Sequence, residues 1–185
     1  MSAESIGRIF QSANRGASSN YGIGSDGRIG NYVPEESRAW TSSNAANDNQ
    51  AITVEVSNNG GAPNWPISDA AWNSLVNLCV DICKRYNFRL NYDDTPNGNL
   101  TRHNMFAATA CPGLTLQSKF PELARVVNKR LEETAIKTYI VKKGDSLWKI
   151  AQQQMGDGTK WPQIQSLNGL KGTTIHPGQI LRIPN

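Results

Sequence analysis

The sequence predicts an α/β protein, in which a mixed β-sheet flanked by helices is followed by a small β-α-α-β module. A β-branched, alternating run at 51–58 predicts a strand, and a continuous apolar stripe from Trp72 to Tyr86 predicts a long amphipathic helix. From Lys137 onward, two short strands enclose two short helices. A chain of 185 residues has room for one medium core and a small second one. We therefore expect domains at 1–134 and 138–185.

Local signals place the elements of the first domain. Apolar residues at helical spacing predict a short helix over 4–13, and "SSNYGIGSDGRIGNYV" predicts a β-hairpin around Ser-Asp-Gly. Ser68 is the predicted N-cap of the long helix. Pro121 is predicted to open a last helix that ends near Glu133.

The chain has three cysteines, which form no even disulfide framework, so we expect reduced thiols. Cys79 and Cys83 lie on the apolar stripe of the long helix. Their spacing favours small buried hydrophobic residues over a metal or redox site.

The second domain should form its own small core. Its elements are an opening alternating strand, a helix capped by Asp145 or Ser146, a second helix from Trp161 to Leu167, and the closing strand "QILRIP". The residues expected to fill the core are Ile140, Leu147, Ile150, Trp161, Ile164, Leu167, Ile180 and Ile183.

Charge is divided unevenly along the chain. Residues 1–136 hold 12 Lys and Arg against 13 Asp and Glu, whereas residues 137–185 hold 7 against 2. A basic module favours an anionic partner, such as nucleic acid, an acidic membrane surface or a teichoic-acid-bearing cell wall, although a solvated face without a partner stays open. No apolar stretch has the length of a membrane span, and the start lacks the order of a signal peptide, so we expect a soluble protein made in the cytoplasm.

The second domain resembles the LysM domain over its whole length. The match rests on Tyr139-Ile140-Val141, on Gly144-Asp145-Ser146-Leu147-Trp148, on Asn168 and on "HPGQILRIP". The resemblance implies binding of N-acetylglucosamine-containing glycans in a shallow groove between two loops. It assigns Gly144, Asp145, Ser146 and Leu147 to one side of that groove, and Leu170, Thr174 and Ile175 to the other.

The first domain resembles the type 2 N-acetylmuramoyl-L-alanine amidases, zinc hydrolases that are related to peptidoglycan recognition proteins and common as phage endolysins. The matching parts are "ASSNYGIGSDGRIGNYVPEESRAW", the strand "ITVEVSN", the long helix and "LTRHNMFAATACPG". The resemblance implies hydrolysis of the amide between the muramic lactyl group and L-alanine, with peptidoglycan as the partner.

In that family two histidines and one cysteine hold Zn²⁺, and His103 and Cys111 match the second and third ligands. Catalytic zinc takes three protein ligands and leaves a position for water, whose pKa falls towards about 7. Glu55 matches the carboxylate that takes a proton from water and delivers it to the leaving amine, unless it is an ordinary solvent-facing strand residue.

Three further side chains are candidates for the same site. Thr109 stands where relatives carry Lys or Thr suited to the oxyanion. Trp40 and Trp65 are candidates for the walls of the substrate groove, and packing roles explain them equally well.

The first histidine of the family lies on a strand that precedes the predicted helix at 4–13, and this sequence begins at Met1 with that helix. No other residue is an evident substitute for this zinc ligand, and the candidates considered are Asn20, Asp93, Asp94 and His176. We expect a cell-wall amidase whose sequence lacks its first strand. The alternative is a non-catalytic peptidoglycan-binding protein with a degenerate zinc site. A DNA-binding function is disfavoured because the tail has no helix with clustered Lys and Arg. The oligomeric state stays open.

Overall fold

The computed structural model describes residues 1–12, 14–134 and 136–184. The chain forms two compact units, Met1–Asn128 and Lys129–Asn185. In the described ranges, no helix has both the length and the hydropathy that a membrane span requires. Each unit contains helices and strands that the apolar patterns of its own sequence predict.

The α/β class predicted from the sequence is confirmed. The helix predicted over 4–13 is observed over Ala3–Phe10, and Ala13, at the end of the predicted range, lies outside the described residues. A short helix after the Cys-Pro-Gly turn was not expected. The elements are α1 (Ala3–Phe10), β1 (Tyr21–Ile23), β2 (Ile29–Asn31), α2 (Ala45–Asp48), β3 (Val54–Val56), α3 (Asp69–Arg85), α4 (Leu114–Ser118) and α5 (Phe120–Thr134).

The sheet of unit 1 is mixed, with strand order β2-β1-β3. Strands β1 and β2 form the predicted hairpin, with Tyr21 opposite Asn31 and Ile23 opposite Ile29. Strand β3 pairs with β1 in parallel. Within the part of the chain that the structure describes, β3 has no second neighbour, so one of its edges is free.

The pairing pattern shows which backbone groups of β3 face that edge. The Tyr21 N–H donates to the Thr53 carbonyl at 3.0 Å, and the Ser57 N–H donates to the Ile23 carbonyl at 2.9 Å. In a parallel ladder, alternate residues of a strand bond to the same neighbour. The backbone groups of Val54 and Val56 therefore point away from β1, towards the free edge.

Tyr32 joins α1 to the hairpin. Its hydroxyl donates to the Ala3 carbonyl at 2.5 Å, and its ring lies across three glycines. A Cβ at Gly7, Gly22 or Gly30 would lie within 3.0 Å of a Tyr32 atom. A side chain at Gly22 or Gly30 would therefore collide with the ring, and one at Gly7 would require the ring to shift by a few tenths of an ångström.

Helix α3 has the N-cap residue that the sequence predicts, and its apolar stripe faces the core. Ser68 is the N-cap, and its hydroxyl accepts the Ala71 N–H at 3.1 Å. Most of the apolar stripe is buried, and Cys83 on it is only 1% exposed, whereas Tyr86 at its end is exposed. Burial raises the pKa of Cys79 to about 12, so this thiol stays protonated at neutral pH. Both cysteines thus serve as apolar packing residues.

Unit 2 contains β4 (Ile136–Ile140), α6 (Leu147–Met155), α7 (Trp161–Leu167) and β5 (Ile180–Pro184). The two strands are antiparallel, with Ile140 opposite Ile180. Ser146, rather than Asp145, caps α6, because its hydroxyl accepts the Lys149 N–H at 3.2 Å. The core residues are Val141, Leu147, Ile150, Ala151, Ile164, Leu181 and Ile183. Of the predicted core residues, Ile140 and Ile180 are instead exposed, because both point to the outer face of the sheet.

Candidate active site

A cavity of about 690 Å³ lies beside the free edge of β3. Its volume falls within the range of about 300–1,000 Å³ that is typical of ligand sites. The walls combine β3 with apolar side chains of α3, α4 and α5, and with the segment that follows residue 99. The residues that line it include Arg38, Val54, Glu55, Val56, His103 and Cys111.

Glu55 stands at the centre of β3, and its side chain is exposed to solvent. It nevertheless lies in a concave site, where surrounding protein atoms remove much of its hydration. This burial raises the pKa of Glu55 above its ordinary value, and the charge of Arg15 opposes the shift. A carboxyl with a raised pKa is better suited to accept and return a proton near neutral pH.

His103 and Cys111 also line this cavity. His103 begins a short 3₁₀ turn, His103–Met105. Burial raises the pKa of Cys111 to about 11, and the charge of Glu55 adds to the effect. The structure therefore gathers all three principal site residues at one cavity, although 56 positions separate Glu55 from Cys111 in the chain.

The His103 ring carries an unpartnered nitrogen. Its Nε2 is buried, and no hydrogen-bond partner for it exists among the described residues. A buried ring nitrogen without a partner is costly unless it binds something. Arg102 Nε and Asn104 Oδ1, on either side of it, are also buried without a described partner. Three consecutive residues thus each carry one unsatisfied polar atom.

Nε2 of His103 and Sγ of Cys111 have the chemistry of zinc donors. In the described ranges, however, no group of three or more His, Cys, Asp and Glu side chains is arranged to hold a metal. Catalytic zinc needs three protein ligands. The donors present thus fit part of a zinc site and do not complete one.

Three other predicted site residues lie around this cavity without lining it. The Thr109 hydroxyl oxygen is exposed and accepts the Cys111 N–H at 3.2 Å, which leaves its hydrogen free to donate. The Trp65 ring packs on Gly113, where an added Cβ would lie 2.6 Å from it, so Trp65 supports the turn after Cys111. Trp40 is 59% exposed, and its ring lies 5.8 Å from the guanidinium of Arg38, which does line the cavity.

The sequence patterns did not reveal Asn20 as the residue that positions β3. Its side chain is fully buried, and its Oδ1 accepts the Thr53 N–H at 2.9 Å and the Thr53 hydroxyl at 3.0 Å. Its Nδ2 donates to the carbonyls of Val33, Pro34 and Ser37. Thr53 precedes Glu55 by two residues, so Asn20 fixes the strand that carries the carboxylate.

Glu35 forms a second cluster at the edge of the same region. Its carboxylate accepts from Arg85 at 2.5 and 2.6 Å, from the Tyr21 hydroxyl at 2.7 Å and from the Tyr86 hydroxyl at 2.8 Å. These hydrogen bonds, from Arg85 above all, lower the pKa of Glu35 to about 2. The cluster joins β1 to the end of α3.

In unit 2, the residues assigned to the glycan groove come from two neighbouring segments. Leu147 belongs to the core, and Leu170 and Ile175 pack against that core. Val141 exchanges hydrogen bonds with the 178–179 turn, at 2.8 and 2.9 Å. Gly144, Ser146 and Thr174 are exposed, and the Asp145 carboxylate accepts from Tyr139 and from the Lys142 N–H.

Comparisons with known proteins follow the same division. Residues 2–114 match the family model described as N-acetylmuramoyl-L-alanine amidase, and residues 139–184 match that of the LysM domain. The chain is 38% identical over 78 residues to the uncharacterized protein YqbP of Bacillus subtilis (strain 168), covering 36% of each. It is 40% identical over 73 residues to an uncharacterized protein of Deinococcus radiodurans, covering 39% of this chain and 28% of that one. The chain thus spans about a third of these curated relatives. No solved structure matches.

Proposed function

Because the chain belongs to the N-acetylmuramoyl-L-alanine amidase family, we propose that unit 1 cleaves the amide bond between the lactyl group of N-acetylmuramic acid and L-alanine. We propose further that the reaction depends on zinc and that unit 2 brings the enzyme to the cell wall by binding glycan. The observation that carries the proposal is the single cavity lined by Glu55, His103 and Cys111.

Each residue has a role that its surroundings support. Glu55, with its raised pKa, takes a proton from water and returns it to the alanine nitrogen as the amide bond breaks. Thr109 has a hydroxyl hydrogen available for the oxyanion that forms on the lactyl carbonyl. His103 and Cys111 would hold zinc, whose chemistry there is the polarisation of water and of the scissile carbonyl.

Two protein ligands are too few for this role, so the proposal includes a third. We place it on an extended segment that pairs with the free edge of β3. The backbone groups of Val54 and Val56 face that edge, the cavity beside them is partly apolar, and His103 Nε2 is buried there without a described partner. An extended segment with alternating apolar residues and one histidine matches all three features.

This proposal is tested by extending the chain. An added N-terminal strand of alternating apolar residues with one histidine should give one tightly bound zinc per chain and release L-alanine amino termini from purified walls. The same extension with alanine for the histidine should bind zinc at least about tenfold more weakly. Introducing Cys111→Ser into the histidine version should weaken zinc binding by at least as much.

A second candidate function is glycan binding without catalysis, and the incomplete donor set among the described residues is the observation that favours it. The two functions differ in the same experiment. If the histidine extension raises neither zinc content nor hydrolysis while the chain still sediments with cell walls, the non-catalytic function is correct.

A further inference from the structure

Four of the seven basic residues of 137–185 adjoin, in the sequence, the segments assigned to the proposed glycan groove. Residues 137–185 contain 7 Lys and Arg against 2 Asp and Glu. Lys142, Lys143 and Lys149 are on one side of the proposed groove, beside residues 144–147, and Lys171 directly follows Leu170 on the other. All four side chains are exposed.

These ammonium groups are available to a ligand. Within the described residues, none of the four forms a salt bridge. Lys149 Nζ donates to the Gly144 carbonyl at 3.1 Å, and the charges of Lys142 and Lys149 act on the Asp145 carboxylate without forming an ion pair with it. The carboxylate of Asp145 accepts hydrogen bonds from the Tyr139 hydroxyl at 2.9 Å and from the Lys142 N–H at 2.7 Å.

A neutral glycan gives these four cations no charged group to bind. The reaction proposed for unit 1 changes the charge of the glycan, because hydrolysis adds the hydroxyl of water to the lactyl carbonyl carbon and a hydrogen to the alanine nitrogen. The glycan keeps the resulting carboxyl group, which is ionised at neutral pH because such groups have a pKa of about 3.5. Every cleaved muramic residue therefore places one negative charge directly on the sugar chain.

We propose that unit 2 selects glycan strands from which the peptides have been removed, and that Lys143 and Lys171 bind the exposed lactyl carboxylates. This inference rests on the proposed function and extends it to the product. The enzyme would be retained on stretches of wall that it has already opened and would act next on adjacent, uncleaved strands.

The test uses the full chain and two matched ligands. One is peptide-free glycan, and the other is the same glycan after conversion of its lactyl carboxyls to neutral methylamides. We expect the full chain to bind the carboxylate form about tenfold more tightly at low ionic strength. The preference should disappear near 1 M salt, where the Debye length is about 3 Å.

Two double variants with the same change in net charge show which lysines cause the preference for the carboxylate form. Lys143→Gln with Lys171→Gln should reduce the preference for the carboxylate form by about fivefold. Lys137→Gln with Lys160→Gln should change it less than about twofold, because Lys137 lies near the start of β4 and Lys160 follows the far end of α6. Neither pair should alter binding of a neutral N-acetylglucosamine oligomer.

Three outcomes would overturn the inference. The first is equal binding of the two forms of glycan. The second is that the Lys137 and Lys160 double variant lowers binding of the carboxylate form as much as the Lys143 and Lys171 double variant does. The third is that a teichoic-acid phosphodiester polymer binds more tightly than peptide-free glycan. Failure of the glycan-binding part of the proposed function is distinct, because the chain would then bind neither the neutral oligomer nor either form of glycan.

Discussion

The two units differ in how completely their buried polar groups and strand edges find hydrogen-bond partners within the unit. In unit 2, seven buried residues form one core, and the Asn168 side chain bonds to Ile164 and to both backbone groups of Arg182. In unit 1, a strand edge is free beside a large cavity. The buried side-chain atoms without a described partner are all in unit 1, on Ser57, Arg102, His103 and Asn104. Among the described residues, unit 2 thus leaves no buried side-chain polar atom without a partner, whereas unit 1 has such atoms beside a cavity large enough for a ligand.

The largest expected effect tests whether the two units divide catalysis and binding between them. In the chain extended with the histidine strand, Glu55→Gln should lower amide hydrolysis by about 10²–10⁴-fold, because the proton acceptor is lost. The release of L-alanine amino termini measures hydrolysis, and sedimentation with walls measures binding.

Binding by Glu55→Gln should stay unchanged, since unit 2 is untouched. Hydrolysis within a few-fold of the parent would show that Glu55 is only a solvent-facing strand residue. A parallel loss of wall binding would show that the division of labour is wrong.

The next effect compares one asparagine from each unit. Asn20→Ala should destabilise unit 1 by about 3 kcal/mol, because it leaves buried partners on Thr53 and on the 33–37 segment unsatisfied. Hydrogen exchange of amides in α3 reports unit 1 alone. Asn20→Asp should cost at least as much as Asn20→Ala at neutral pH, because it sets a buried carboxylate oxygen against the carbonyls that Nδ2 now donates to.

Asn168→Ala is the matched change in unit 2 and should cost about 1 kcal/mol, because the partners that it leaves lie on the partly exposed strand β5. Exchange in β5 measures it. An equal cost in both units would contradict the idea that unit 1 depends more on buried polar contacts.

The smallest effect concerns the Glu35 cluster. The pKa of Glu35 is about 2 in the folded state and 4.5 ordinarily, so its contribution to stability is present above about pH 4.5 and is lost as the pH falls towards 2. Arg85 is 40% exposed, so the contribution is about 1 kcal/mol or less. Glu35→Gln should therefore be less stable than the parent at pH 7 and similar to it near pH 2. Urea unfolding at both pH values measures this, and a difference independent of pH would exclude the ion pair as its source.

Local sequence patterns predicted the helices and strands whose formation depends on residues that are close together in the chain. Ser68 and the apolar stripe after it determine α3, and alternation predicts β3, because capping and periodicity act over a few residues. The family resemblance brought His103, Cys111 and Glu55 into one hypothesis, and the structure places them at one cavity.

Other features depend on distant partners and could not be predicted in this way. Asn20 acts through Thr53, 33 residues away, and Glu35 acts through Arg85, 50 residues away. Helix α4 was missed because it begins directly after Gly113, whose φ of +86° is not a helix signal. The unpartnered His103 nitrogen is likewise a property of the folded chain alone.

The aromatic ring of Tyr32 has a consequence for engineering this protein. Because it fills the space beside Gly7, Gly22 and Gly30, a side chain added at Gly22 or Gly30 alone would collide with it, and one added at Gly7 would require it to shift. A combinatorial library that varies the hairpin should hold the tyrosine and its glycines fixed, or exchange all four together for a smaller residue at 32 with side chains on the surrounding backbone.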